Sequence, residues 1–177
     1  VRTTSAALKE LGLNISDCAG ILVTHEHSDH VKGLATFLKK NPLPVYGADD
    51  TLDFLDANGI VPASCELRTL SGGEEDVGDF GVTMFPTSHD VPCVGYRIHT
   101  PDGKTMTIAT DLGMLTPPVH EALSGCDPEL FSEGLRVSLY NYMNGTGFDL
   151  PLHKWFGGMK VPRTTLPPNY IERIVEE

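Results

Sequence analysis

The sequence predicts an α/β domain, and three observations carry that prediction. Short β-branched apolar runs alternate with segments of helical period through the first two-thirds of the chain. The chain has 177 residues, enough for one domain with a real core. Apolar residues make up 40% and charged residues 21%, the balance of a globular protein rather than a disordered one. Residues 1–177 are therefore expected to form a single domain, with no internal repeat and no interdomain linker.

In chain order, Thr4 or Ser5 can cap a first helix over residues 6–11, which Gly12 stops. Ile21 to Thr24 is a short, β-branched run with the composition of a buried strand. A second helix is expected from Ser28 to about Lys40, with Val31, Leu34, Phe37 and Leu38 on one face. Asn41-Pro42-Leu43-Pro44 ends it, and Val45-Tyr46 reads as the next strand. Asp49 to Ala57 reads as an Asp-capped helix closed by Asn58-Gly59. Residues 65–70 and 81–87 read as strands, with Ser71 to Gly78 an acidic, glycine-rich loop between them. The clearest hairpin joins 94–99 to 105–110 through Pro101-Asp102-Gly103-Lys104. Pro117 to Leu123 is a short helix with Pro in its first turn. Beyond residue 127 the periodicity weakens, leaving a strand over Leu135 to Tyr142 and a helix over Asn169 to Val175.

Composition narrows the function. Thirteen basic against 24 acidic residues give a net charge of −11, which opposes non-specific attraction to nucleic acid. Two divalent ions would leave about −7, so metals would have to supply the local attraction to a nucleic-acid substrate. Cys18, Cys65, Cys93 and Cys126 form no C-x-x-C pair, so reduced thiols are expected rather than a disulfide frame or zinc ribbon. The apolar runs are too short to span a bilayer and the chain opens on polar residues. A cytoplasmic protein without a membrane segment is the expectation.

The chemistry concentrates in His25-Glu26-His27-Ser28-Asp29-His30. Given 7 histidines in 177 residues, three of them and an Asp in this fixed pattern arise by chance in of order one sequence in a thousand. In an extended segment, residues 25 and 27 point to one side, so both imidazoles can reach one ion. The turn into the helix swings Asp29 and His30 toward a second position. Imidazole and carboxylate are ligands zinc accepts at roughly 2.0–2.2 Å. Gly33 is expected to let other backbone come close, or to be merely tolerated. His89 follows the strand over 81–87, and Asp111 follows the one over 105–110. Ligands at strand ends, held by a rigid sheet, assemble a metal site from distant sequence. Blander readings suit His99 and His120, as solvated side chains, Lys32, as a surface lysine, and Asp90, as a turn residue or a partner of His89.

His-x-His-x-Asp-His-x-x-Gly, then a His and an Asp each after a strand, resembles the motif order of the metallo-β-lactamase superfamily. Residues 24–33, Thr87-Ser88-His89-Asp90, Val94 to Ile98 and Ile108 to Gly113 look like its YycJ/WalJ branch. The resemblance covers about residues 3–127. It implies an αββα sandwich and two divalent ions, Zn2+ or Mn2+. His25, His27 and His89 would hold the first ion and Asp29 and His30 the second, with Asp111 bridging. It also gives Asp29 and Asp111 catalytic roles around a metal-bound hydroxide. Two ions about 3.5–4 Å apart can activate a water and clamp phosphate oxygens, without a protein nucleophile.

That branch is associated with 5′-to-3′ exonucleases acting on DNA, so a metal-dependent phosphodiesterase with a nucleic-acid partner is the first expectation. A thioester or lactone hydrolase of the glyoxalase-II type is the second, and a catalytically impaired metal-binding fragment the third. Relatives of the family begin with earlier strands and end with a further His for the second ion. An N-terminally truncated fold, prone to oligomerise, is therefore expected. His153, the one His beyond residue 120, is the remaining candidate for that further ligand.

Overall fold

The computed structural model describes residues 2–114 and 116–124. Its elements run α1 (Arg2–Glu10), β1 (Ile21–Leu22), α2 (Ser28–Val31), α3 (Leu34–Leu38), β2 (Val45–Gly47), α4 (Asp49–Ala57), β3 (Leu67–Thr69), β4 (Glu74–Val77), β5 (Phe80–Pro86), β6 (Val94–His99), β7 (Thr105–Ile108) and α5 (Pro117–Leu123). A parallel sheet has the order β1-β2-β3, and an antiparallel sheet the order β4-β5-β6-β7. His153, Cys126 and the elements expected over 135–142 and 169–175 lie outside the described residues.

Alternation along the strands sorts the core into three layers of contact. Ile21, Val23 and Val45 point to one side of the parallel sheet, where Val31, Leu34 and Leu38, with Leu52 and Leu55 of α4, pack on them. Leu22 and Tyr46 point to the other side and meet Val82, Val94, Tyr96 and Ile98 of the antiparallel sheet. Phe85 and Ala109 leave the far side of that second sheet and pack on Val119, Ala122 and Leu123. Helix, sheet, sheet and helix are thus stacked in that order, the αββα sandwich the resemblance implied. The period of two is what lets each sheet bury both faces. On the outer face, Arg97 Nη1 donates to the carbonyls of Ala122 and Ser124, and Thr107 Oγ1 donates to that of Ala122. The end of α5 is thereby fastened to β6 and β7.

Local chemistry explains most boundaries. At the end of α1, Gly12 has φ 74°, and the N–H groups of Gly12 and Leu13 donate to the carbonyls of Lys9 and Leu8. That pairing is the glycine-dependent Schellman closure. The helix begins at Arg2, so neither Thr4 nor Ser5 caps it. Asp49 is the first residue of α4 rather than its cap, and its carboxylate instead accepts from Thr69 Oγ1 at 2.6 Å, tying the helix to β3.

Further expectations are corrected. The helix expected over 28–40 is two short ones, interrupted at Lys32 and Gly33, because glycine holds helical backbone poorly. Close approach does not explain Gly33, since a Cβ there would meet nothing within 4 Å. The acidic loop over 71–78 contains β4, which pairs with β5 through a turn whose Gly78 has φ 63°. Charged residues lower strand propensity, but they suit an exposed edge, and Val77 at its end is buried in the seam between the sheets. His99, expected to be simply solvated, pairs its Nδ1 with Glu74 Oε2 at 2.5 Å across the sheet. Among the described residues no helix is long and apolar enough to cross a membrane.

The two glycine environments generate a paired prediction. A Cβ on Gly95 would lie 2.6 Å from Phe85 Cε2 and 2.8 Å from the Ile108 carbonyl oxygen. Gly95→Ala should cost about 1–3 kcal/mol through overpacking. Gly33→Ala should leave stability within about 0.5 kcal/mol of the parent or raise it slightly. Urea unfolding of both variants checks the contrast.

Candidate metal centre

The end of β1 is held from both sides. Val23 N–H donates to the Tyr46 carbonyl in the parallel sheet, at 2.9 Å. From the antiparallel sheet, the Tyr96 hydroxyl donates to the Val23 carbonyl, and Val94 N–H donates to the Thr24 carbonyl at 3.0 Å. His25 comes next and is fully buried. His27 precedes α2, where its carbonyl accepts the N–H groups of His30 and Val31. One turn thus carries His30 back over His25.

His89 and Asp111 arrive from the ends of β5 and β7. Asp111 has φ 54°, the one positive φ on a non-glycine among the described residues. Two residues on, Gly113 N–H makes a short hydrogen bond to the Ser88 carbonyl, and a Cβ on Gly113 would stand 2.5 Å from that oxygen. Only glycine lets the two loops meet so closely, and their contact ties the loop that carries His89 to the one that carries Asp111.

Five of the six anticipated ligands converge. Donor atoms of His25, His27 and His89 lie within 4.8 Å of one another, and so do those of His25, His30 and Asp111. His25 stands at the junction of the two groups, with ring centroids 4.7 Å from His27, 4.1 Å from His30 and 4.8 Å from His89. His89 Nε2 approaches His27 Nδ1 at 3.1 Å, and His30 Nε2 approaches Asp111 Oδ2 at 3.1 Å. Asp29 belongs to neither group. Its Oδ2 is 3.7 Å from His30 Nε2 and its side chain is 62% exposed, at the rim. The decisive feature is His25 Nε2, a buried nitrogen without a hydrogen-bond partner at the centre of the cluster. A buried polar atom aimed at other lone-pair donors fits a cation between them.

Comparison with known proteins agrees. Residues 3–142 match the family described as the Beta-lactamase superfamily domain. The chain belongs to that superfamily. It is 32% identical over 140 residues to the exodeoxyribonuclease YycJ of Bacillus anthracis, covering 78% of this chain and 53% of that protein. It is 36% identical over 109 residues to a ribonuclease Z of Methanopyrus kandleri, covering 55% of this chain and 37% of that one. The chain thus spans about half the length of YycJ, or less of the ribonuclease. Among solved structures, Zn2+-bound PqqB of Methylobacterium extorquens superposes with a TM-score of 0.54 at 20% identity, over 61% of this chain and 43% of that one. The superfamily fold and the clustered donors together point to divalent metal binding.

Electrostatics distinguish the histidines of this superfamily member. Burial, reinforced by the neighbouring imidazole of His30, lowers the His25 pKa to about 4. His30 moves the other way, because its hydrogen bond to Asp111 outweighs burial and raises its pKa. For Asp111 burial alone would push the carboxyl up, but the hydrogen bond from His30 and the charge of that ring prevail and hold it at about 2. His25 is therefore a ready neutral ligand, whereas His30, whose proton Asp111 stabilises, gives it up less readily to a cation.

Of the supporting residues, the sequence points to Asp90 beside His89 but not to Thr24 or Cys93. Thr24 and Cys93 contact His25 Nδ1, at 3.1 and 3.5 Å. Asp90, left as a turn residue or a partner of His89, has Oδ1 3.2 Å from His89 Nε2 and 3.6 Å from His27 Nε2. Thr24 and Asp90 each adjoin a motif histidine, whereas Cys93, four positions after His89, carries no such signal.

The pH dependence follows with a definite sign. His25 binds its proton more weakly when folded, so its contribution to stability is complete above pH 6.5 and is lost as pH falls toward about 4. The raised His30 acts oppositely, its contribution being present at low pH and lost as pH rises past its folded value. In metal-free protein, an NMR pH titration should show the His25 ring neutral until about pH 4 and His30 titrating above 6.5. In Asp111→Asn the His30 midpoint should fall, since its main cause has been removed.

Proposed function

We propose that this chain carries the active centre of a metal-dependent phosphodiesterase that cleaves nucleic acid, with DNA as the favoured substrate. The carrying observation is the convergence of His25, His27, His30, His89 and Asp111 around the orphaned His25 Nε2. The preference for DNA rests on coverage, because similarity to the exodeoxyribonuclease runs through 78% of this chain and similarity to the ribonuclease through 55%. With a net charge of −11, the protein has little general attraction for a polyanion, so recognition has to be concentrated at the cationic centre.

In this reading His25, His27 and His89 hold a first divalent ion, and His30, Asp29 and Asp111 hold a second. Bound divalent ions supply Lewis acidity toward water and the phosphate oxygens. The chain supplies everything else. The seam between the sheets fixes His25, and the contact of Gly113 with Ser88 joins the loops that carry His89 and Asp111. Asp90 can accept from His27 or His89 and so orient rings that must present their lone pairs. Asp29 reaches the second position only from the rim, so that position is the less complete of the two.

Two measurements test the proposal. Protein loaded with Zn2+ or Mn2+ and offered DNA, RNA and a thioester side by side should release nucleotides, fastest from DNA. His27→Ala should reduce this by at least about 100-fold, the upper end for disturbed metal sites. Thioester cleavage without phosphodiesterase activity would replace the reading by the glyoxalase-II type. The positions should also be unequal, one ion binding tightly and the second only at much higher concentration, with hydrolysis following the second. Two equally tight ions in calorimetric titration would contradict that.

A further inference from the structure

One hydroxyl stands against two rings of the cluster, those of His25 and His30. Thr24 Oγ1 is 3.1 Å from Nδ1 of His25 and 3.5 Å from Nδ1 of His30. Both rings thus turn the same nitrogen toward Thr24, and His30 turns its Nε2 toward Asp111. His25 Nε2 faces the cluster with no hydrogen-bond partner. A neutral imidazole carries one proton, and its place depends on which nitrogen finds an acceptor. On His25 Nε2 the proton would be a buried donor without an acceptor, the rarest kind of unsatisfied group. On Nδ1 it meets the Thr24 oxygen, with Cys93 Sγ at 3.5 Å as a weaker alternative. A hydroxyl oxygen has two lone pairs, so it can accept from both rings at once, which a thiol does poorly.

We infer that Thr24 is a positioning residue for both metal positions, accepting the Nδ1 protons of His25 and His30 so that each ring presents Nε2 as its ligand atom. The inference rests on the metal-centre reading proposed above and extends it to a residue outside the ligand set. Thr24 owes its own placement to the Val94 N–H on its carbonyl, so the antiparallel sheet indirectly sets the tautomer of a ligand attached to the parallel one. The shorter contact makes the effect larger for His25 than for His30.

The test compares Thr24→Val, which keeps the branched shape and removes the oxygen, with Thr24→Ser, which restores it. In metal-free protein, ring 15N shifts should report His25 as the Nδ1–H tautomer in the parent and in Thr24→Ser. Thr24→Val should lose that preference with its melting temperature nearly unchanged. Calorimetric titration with Zn2+ should then show affinity weakened roughly 10–100-fold in Thr24→Val and recovered in Thr24→Ser. Cys93→Ala should alter affinity less than Thr24→Val. The inference is overturned if Thr24→Val keeps the Nδ1–H tautomer, if it binds Zn2+ like the parent, or if Thr24→Ser fails to restore either. A parent that shows the Nδ1–H tautomer but binds no Zn2+ would count against the metal-centre reading and leave the tautomer assignment to Thr24 standing.

Discussion

The Tyr96 hydroxyl reaches across the seam to the Val23 carbonyl, and the Val94 N–H reaches the next carbonyl, that of Thr24. These two bonds join the sheets at the point where β1 ends and the histidine-rich segment begins. Around them Tyr46, Leu70, Val82 and Ile98 exclude water, which makes unpaired backbone groups there costly. The end of β1 consequently has one permitted height and angle relative to the antiparallel sheet. His25 comes from one sheet, His89 and Asp111 from the other, so every distance in the cluster inherits that alignment.

The cluster is arranged against local stability. Four imidazoles crowd a partly buried space, one of them with a buried nitrogen unpartnered, and Asp111 sits in left-handed backbone. That conformation costs an L-residue roughly 1–2 kcal/mol, somewhat less for Asp. Such features persist where the surroundings over-determine them. Here the surroundings are the Gly113–Ser88 contact, the α5 helix fastened beneath β7, and the doubly anchored β1. The low pKa of His25 expresses the same tension, because burial and then the neighbouring His30 ring oppose a charge there.

Much of this was legible in the sequence, for reasons that differ by residue. Elements whose signals are local came through: the 94–99/105–108 hairpin, α4 with its Asn58-Gly59 ending, and α5 with its leading prolines all match their expected places. The cluster was legible because four histidines and Asp111 follow closely on the ends of strands. What was hidden depended on contacts distant in sequence. β4 is a strand only because β5 accepts it, and nothing in Glu74-Glu75-Asp76 announces that. Gly33 drew a functional reading from the motif but has open space around it, while Gly113 was merely quoted and turned out to be pressed against Ser88. Thr24 and Cys93 are ordinary residues by type, and only the positions of their neighbours give them a part.

The doubly anchored end of β1 also has a thermodynamic side. His27 and His89 are 62 positions apart in the chain and belong to segments attached to different sheets. An ion gripping both would act as a reversible cross-link over a long loop, much as a disulfide would, but set by concentration rather than by redox conditions. Separation of the sheets and release of the ion would then be one event. By reciprocity, anything that loosens the seam, even a substitution at Tyr96, which is not a ligand, would appear as weaker metal affinity. Anything that saturates the centre would appear as slower hydrogen exchange deep in the seam.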